Sequence, residues 1–144
     1  MPIQIALRPG TVLVCDYEFG RSSVLPGEMT KRRPVVVIAQ RRRHGTGPII
    51  VVPLSTSPPE RHDDRHVRIE AGTYDFLRPD VDSWVKCEFI RSVSTHRLYR
   101  SRRGAANQVP RLSDADLASV IRATIQALGG RDLLFQQSSG IVTM

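Results

Sequence analysis

The residues best suited to chemistry in this sequence are cations that stand directly before a proline and an apolar run, Lys31-Arg32-Arg33-Pro34-Val35-Val36-Val37-Ile38. Proline fixes its own φ and pushes the preceding residue into an extended conformation, so Arg33 is held where a loop meets a strand. The branched apolar residues predict that this strand is buried. A rigid guanidinium at the mouth of a sheet is suited to hold a phosphate. A solvated charge cluster before a core strand is an equally good interpretation of the segment alone.

Two other groups of polar residues follow later strands. Three hydroxyl residues, 55–57, close the apolar segment that begins at Ile49. Segment 83–93 is predicted to be one strand, and side chains alternate between the two faces of a strand. That alternation places Trp84, Lys86 and Glu88 together on one face.

The histidines and cysteines do not have the spacing of a metal site. His62 and His66 are four residues apart, but their segment has no helical pattern and no third ligand is near, so solvated loop residues are the better interpretation. Cys15 and Cys87 both fall in predicted strands and are interpreted as small buried thiols of a reduced compartment. We expect no metal and no cofactor.

Charge and length bound the class of protein. The chain has 144 residues and a formal net charge of +7, with 40% hydrophobic residues, which fits one soluble domain with its own core. A net positive charge of this size suits a polyanionic partner, of which nucleic acid is the first candidate. Of the 21 cationic side chains only Lys31 and Lys86 are lysines, although GC-rich coding would also favour arginine. No signal peptide or membrane-spanning run is found, which predicts a cytoplasmic protein.

The pattern of apolar runs predicts a mainly antiparallel β protein. Strands are predicted at 11–17, 35–39, 49–54, 66–70 and 83–93, with a short final strand at 96–100. The second and third strands are joined by a turn-rich basic loop, which favours an antiparallel pair. Pro53 is taken to mark a strand end or edge.

A single helix is predicted after these strands. Ser113 is a suitable N-cap, Asp114 and Asp116 complement the helix N-terminus, and Gly129-Gly130 end the helix. Its buried face is predicted to comprise Leu117, Val120, Ile121, Thr124, Ile125 and Leu128. We predict one domain over residues 1–130, followed by a polar, poorly ordered tail over residues 131–144.

Five segments in this order and with this spacing resemble the PemK/MazF toxins of type II toxin–antitoxin systems. The segments are 9–12, 31–38, 51–56, 85–98 and 111–117, and the likeness extends over roughly residues 8 to 128. The resemblance implies an SH3-like antiparallel β-barrel of the CcdB/Kid type with a C-terminal α-helix, assembled as a homodimer. It also implies a metal-independent, sequence-selective endoribonuclease that cuts single-stranded RNA, and a cognate antitoxin that blocks the RNA groove.

The resemblance also assigns roles to particular residues. Cleavage by the substrate's own 2′-hydroxyl needs a base, an acid and donors on the phosphate. Arg33 matches the family's catalytic arginine, and because a guanidinium is a poor proton donor, charge stabilisation is favoured over proton donation. Ser55 lies where the family carries a hydroxyl that binds the phosphate, with Thr56 as the alternative one residue later.

Lys86 and Glu88 align with an Arg-x-Asp pair of some family members. Glu88 is then the predicted base and Lys86 a phosphate clamp; a surface salt bridge between them is as good an interpretation. Some members also carry a histidine six residues before the catalytic arginine, where this chain has Gly27. An acid–base scheme that needs that histidine does not apply here.

The remaining candidates are residues for binding RNA. Arg32 and the triplet Arg41, Arg42 and Arg43 would add sequence-blind affinity for the backbone, and Tyr17 could stack on a base. Trp84 could also stack, but core packing is the better interpretation for it. A second hypothesis is a non-catalytic inhibitor of the CcdB type, which binds a protein such as DNA gyrase; a third is an RNA-binding barrel without activity.

Overall fold

A computed structural model describes residues 7–17, 32–39 and 48–130 of the chain. The predictions for Gly27, Lys31, Arg41 to Arg43 and the tail 131–144 lie outside these residues. The strands are β1 Val12–Asp16, β2 Arg32–Ala39, β3 Ile49–Ser55, β4 His66–Ile69, β5 Ser83–Lys86, β6 Arg91–Val93 and β7 Leu98–Tyr99. The helix is α1, Asp114–Ala127, and 3₁₀ turns lie at Cys87–Phe89 and Thr95–Arg97.

The strands form one antiparallel sheet in the order β4-β5-β3-β2-β1-β7, and β6 also pairs with β3. The predicted antiparallel pairing of β2 with β3 is confirmed, with Val36 opposite Val52. The mainly β class with a C-terminal helix is confirmed as well. The predicted closure into a barrel is not observed among the described strands, because β4 and β7 form the two ends of the strand order.

The prediction of one unbroken strand over 83–93 was wrong. β5 pairs with β3 up to Val85 opposite Leu54, and β6 resumes the pairing at Arg91 opposite Val51. Between these two pairings β3 contains Val52 and Pro53, and proline has no N–H to donate to a neighbouring strand. The adjoining chain leaves the ladder there and forms the 3₁₀ turn Cys87–Phe89. Pro53 therefore lies inside β3 rather than at its end.

Both faces of the central strands are buried, as the apolar runs predict. One cluster, which includes Val36, Leu54 and Val120, packs between the sheet and α1. The other cluster, on the opposite face, includes Cys15 and Val35. Alternate residues of a strand point to opposite faces, so neighbours such as Val35 and Val36 enter different clusters. Both cysteines are free and buried, and burial raises the pKa of each thiol to about 11.

The helix begins and ends as the sequence predicts. The side chain of Ser113 accepts the backbone N–H of Asp116 at 3.2 Å, and Tyr74 donates its hydroxyl proton to the Asp116 carboxylate at 2.5 Å. After the helix, Gly129 has a φ of +83°, a left-handed conformation that favours glycine. None of the described helices is long and apolar enough to cross a membrane.

The predicted inner face of α1 needs a correction. The fully buried positions are Val120, Ala123 and Thr124, whereas Ile121 and Leu128 are exposed by 37% and 65%. Ala123 packs in the cluster between the sheet and α1, whereas Ile121 and Leu128 lie outside it.

Candidate active site

Two of the predicted catalytic residues meet at the edge where β2 begins and β3 ends. The register of this pair sets Val35 opposite Pro53, and its continuation sets Arg33 opposite Ser55. Nη1 of Arg33 donates to the Ser55 hydroxyl oxygen at 3.5 Å. The same oxygen accepts the backbone N–H of Ser57 at 3.1 Å, which leaves the hydroxyl proton of Ser55 for another acceptor.

Arg33 is fixed on its other side by β1, where Cys15 is its cross-strand partner. Its Nε is buried and has no hydrogen-bond partner within the described part of the chain. An unsatisfied buried donor costs about 1–3 kcal/mol, and more when it is charged. The guanidinium thus contacts Ser55 through Nη1 and has a buried Nε without a partner.

A pocket of about 310 Å³ opens beside this pair and is rich in cations and hydroxyls. None of the described residues that line it is acidic. Its polar lining consists of Arg32, Arg33, Arg78, Arg103, Ser55, Thr56, Ser83 and Ser101. Arginine binds phosphate oxygens through a planar fork and hydroxyls can donate to them, so the pocket has the chemistry of a polyanion site.

Arg78 and Arg103 were not among the residues predicted from the sequence. Arg78 follows the buried pair Phe76 and Leu77, in the irregular segment between β4 and β5, and Arg103 lies in the loop after β7. The only sequence signal for Arg103 is that Arg102 and Arg103 form a second pair of adjacent arginines, like the pair before Pro34. Their convergence on one pocket is a consequence of the tertiary fold.

Glu88, the predicted base, lies in a different polar cluster. Its Oε2 is 2.6 Å from Nε2 of His66, and the backbone N–H of Asp63 donates to Nδ1 of His66 at 3.2 Å. A neutral His66 with its proton on Nε2 satisfies both contacts. The Arg65 guanidinium donates a hydrogen bond to the Asp63 carboxylate, and this hydrogen bond lowers the pKa of Asp63.

His66 was wrongly interpreted as a solvated loop residue, since its side chain is only 2% exposed. It begins β4 directly opposite Lys86 of β5. Glu88 pairs with His66 rather than with Lys86, so the predicted surface salt bridge between Lys86 and Glu88 is not formed. Among the described residues no three histidine, cysteine, aspartate or glutamate side chains are placed to hold a metal ion.

The structure does not bring Glu88 and Arg33 together within one protomer. Glu88 follows β5, which is two strands away from β2 in the sheet, and it lies beyond the position opposite Ser55. With about 4.8 Å between strands and about 3.3 Å per residue, the two Cα atoms are more than roughly 10 Å apart. Lys86 is half-buried on β5 and does not line the pocket.

The predicted RNA-binding residues are placed unequally. Tyr17 is 3% exposed, with the Arg91 guanidinium 5.2 Å from its ring centroid, so its ring offers no face to a base in this protomer. Arg32 is exposed, 4.8 Å from the ring centroid of Tyr99 and 4.0 Å from the Asp16 carboxylate. Thr56 is exposed at the pocket rim.

Trp84 is half-buried, and the ring of His62 contacts it edge-on at 5.0 Å between centroids. Cross-strand pairing sets it directly opposite Ser55 on β3 and Arg68 on β4. Trp84 therefore belongs neither to the two buried clusters nor to a fully open surface.

Two replacements of Glu88 separate a structural role from a catalytic one. Glu88→Ala leaves the buried Nε2–H of His66 without its acceptor and should destabilise the fold by about 1–3 kcal/mol. Glu88→Gln retains an acceptor oxygen and should lie within about 1 kcal/mol of the wild type. Urea unfolding measures both. If Glu88→Ala unfolds like the wild type, the contact with His66 contributes nothing to stability.

Comparisons with known proteins identify the family of this chain. Residues 8–128 match the family described as PemK-like, MazF-like toxins of type II toxin–antitoxin systems. That match includes most of the chain, and the protein belongs to this family. An uncharacterised protein of Haemophilus influenzae is 30% identical, with 87% of this chain and 92% of the relative covered.

Solved structures share the fold. A mycobacterial endoribonuclease in complex with its cognate antitoxin superposes with a TM-score of 0.59 at 21% identity, over 86% of this chain and 96% of that one. The Mycobacterium tuberculosis toxin MazF-mt6 gives a TM-score of 0.56 at 18% identity, over 85% of this chain and 97% of that one. At such identities the likeness establishes a common fold and no more.

Proposed function

We propose that this protein is a toxin that acts as an endoribonuclease on single-stranded RNA, and that it needs no metal ion to do so. Membership of the toxin family makes the class plausible, and one observation carries the chemical proposal. That observation is the contact of a half-buried arginine, Arg33, with a hydroxyl, Ser55, in a pocket lined by four arginines.

The proposed reaction is an internal transesterification. The 2′-hydroxyl oxygen of one nucleotide attacks the adjacent phosphorus, and the bond from phosphorus to the 5′-oxygen of the next nucleotide breaks. The 2′-hydroxyl proton goes to a base, and the departing oxygen takes a proton from an acid. The products are a 2′,3′-cyclic phosphate and a 5′-hydroxyl, so atoms and charge balance without an external nucleophile.

Arg33 and Ser55 would act on the phosphate itself. Negative charge grows on the non-bridging oxygens as the 2′-oxygen attacks, and preorganised donors stabilise that charge without having to reorient. Arg33 supplies guanidinium N–H groups and Ser55 its free hydroxyl proton. Glu88 stays our predicted base and Lys86 our predicted phosphate clamp. For Glu88 to reach a phosphate held by Arg33, the second protomer of a homodimer would have to bring it there.

The proposal extends to partners and location. We propose a homodimer in the cytoplasm that is neutralised by a cognate antitoxin, because the family is defined by such toxin–antitoxin pairs. The pocket beside Arg33 is the surface that an antitoxin would have to cover to block RNA.

A direct test uses purified protein, long single-stranded RNA of varied sequence and excess EDTA. We expect discrete fragments whose 5′ ends accept phosphate from a kinase without prior dephosphorylation, because they carry free hydroxyls. RNA that stays intact across varied sequences would refute the enzymatic proposal. Growth arrest that persists without Arg33 would then favour inhibition of a protein target.

A further inference from the structure

The four arginines of the pocket come from three separate parts of the chain. Arg32 and Arg33 belong to β2, whereas Arg78 and Arg103 come from the segment between β4 and β5 and from the loop after β7. We propose that Arg103, supported by Arg78, binds the phosphate adjacent to the one that is cut, so that the pocket holds two consecutive phosphates of one RNA strand. This inference rests on the proposed function and names a substrate-binding subsite within it.

The loop that carries Arg103 is built to approach the segment that carries Arg78. Gly104 has a φ of +87°, and a Cβ atom there would lie 3.2 Å from Cβ of Phe76 and 3.3 Å from Oδ1 of Asp75. A glycine is therefore required both for the backbone conformation and for the close packing. Phe76 is buried, so the contact anchors the loop to the core.

Local hydrogen bonds fix the position of Arg103 within that loop. The hydroxyl of Ser101 accepts the backbone N–H of Arg103 at 3.1 Å. Before it, the Arg100 guanidinium donates to the backbone oxygens of Ala105 and Gln108 and closes the loop from the other side. Arg103 thus extends from an ordered turn, which lowers the entropy cost of binding a ligand.

Arg78 and Arg103 differ in whether a carboxylate already pairs with them. Arg78 makes two hydrogen bonds to the Asp80 carboxylate, at 3.2 and 2.7 Å, which orient its guanidinium and give its charge a partner. No side-chain hydrogen bond or ion pair of Arg103 is found in the described part of the chain. The contact with Arg78 lowers the pKa of Asp80, and Arg103 adds to that effect from nearby. Arg103 is therefore the cation with charge to offer an anion.

The polar groups of the pocket lining match phosphate. Phe76 and Leu77 are 8% and 6% exposed, so neither offers a large face on which a base could stack. The polar groups are guanidinium and hydroxyl donors, and phosphate oxygens are the acceptors that match them. A pocket of about 310 Å³ is also too large for a single phosphate alone.

The binding test uses a pool of single-stranded 2′-O-methyl RNA, which cannot attack its own phosphates and so reports affinity without cleavage. For single strands, each phosphate neutralised contributes about 0.7 to the slope of log affinity against log salt. We expect Arg103→Gln to reduce that slope by about 0.7. Arg122→Gln removes one charge from the exposed side of α1 and should leave the slope unchanged.

The kinetic test compares substrates with and without the second phosphate, cut from a sequence that the wild type cleaves. On a longer oligonucleotide, Arg103→Gln should raise KM about tenfold with kcat within about twofold, because the contact is equal in ground and transition states. On the dinucleotide, which has only the scissile phosphate, the variant should match the wild type. Arg103→Lys should recover part of the loss.

The outcomes separate the subsite from the proposed function. If the wild type cuts no RNA, the endoribonuclease proposal fails, and the salt slope still tests the subsite. If the wild type cuts RNA but Arg103→Gln behaves like Arg122→Gln in both slope and KM, the subsite proposal is overturned. Equal losses on the dinucleotide and the longer substrate would also overturn it, since they would assign Arg103 to the scissile phosphate.

Discussion

Replacement of Arg33 by glutamine is expected to lower the rate of RNA cleavage by a factor of about 10²–10³, the usual effect of removing one preorganised donor to a developing oxyanion. Glutamine keeps much of the length and an N–H donor but loses the positive charge and the fork. Because Arg33 is held by β1 on one side and by Ser55 on the other, its replacement removes a fixed group that solvent cannot substitute. The measurement is the initial rate on a cleavable oligonucleotide at saturating RNA.

The control is the neighbouring Arg32→Gln, whose side chain is 59% exposed and paired with Asp16. It removes the same charge one residue away and should change the rate by less than about fivefold, since an exposed cation contributes mainly to binding. Arg33→Lys should recover only part of the activity, because an ammonium cannot reproduce the planar fork. An Arg33→Gln variant with near-normal rates would exclude Arg33 from the chemistry.

Truncation of Leu54 to alanine is expected to have the largest effect on stability. Leu54 is 1% exposed and packs in the cluster between the sheet and α1, one residue before Ser55. Leucine-to-alanine changes at such sites cost about 2–5 kcal/mol through lost burial and the cavity that remains. Urea unfolding followed by circular dichroism should show a correspondingly lower midpoint with a similar slope.

Ile50→Ala is the matched control, because Ile50 lies on the same strand but is 37% exposed. This substitution removes more side-chain atoms than most substitutions of exposed residues do. It should nevertheless lower the free energy of unfolding by no more than about 1 kcal/mol, because it opens no internal cavity. Both variants must be compared at one protein concentration, since a dimer would make the midpoint concentration-dependent. Equal costs for the two variants would show that Leu54 does not lie in a closely packed core.

The sequence was most informative where local chemistry decides the outcome. The N-cap Ser113 and the terminating Gly129 act within a few residues, and both predictions are confirmed. Apolar runs such as Val35 to Val37 predicted buried strands for the same reason, because a continuous apolar run indicates a buried strand whatever residues lie far away in the chain. The predicted pair of Arg33 and Ser55 also meets, because β2 and β3 pair as adjacent antiparallel strands and their register continues to these two residues.

The sequence misled where a distant residue intervenes. Apolar and polar residues alternate in segment 83–93 as they do in a strand. Pro53 on the neighbouring strand has no N–H to donate, however, and the segment forms a turn beside it. That turn moves Glu88 out of the face it was predicted to share with Trp84 and brings it to the buried side chain of His66. Tyr17, an amphipathic side chain at a strand end, is covered by Arg91 and lies in the core.

By itself, then, the amino-acid sequence determined most of the strands and the helix with its caps, because capping contacts and runs of apolar residues act over short distances. Only the tertiary structure decided that Arg78 and Arg103 join Arg33 in one pocket and that Glu88 joins His66 instead. The first grouping depends on the packing of loops, including the close packing of Gly104 against Phe76. The second depends on the missing N–H of Pro53. Each arises between residues far apart in the chain, where no local pattern records the contact.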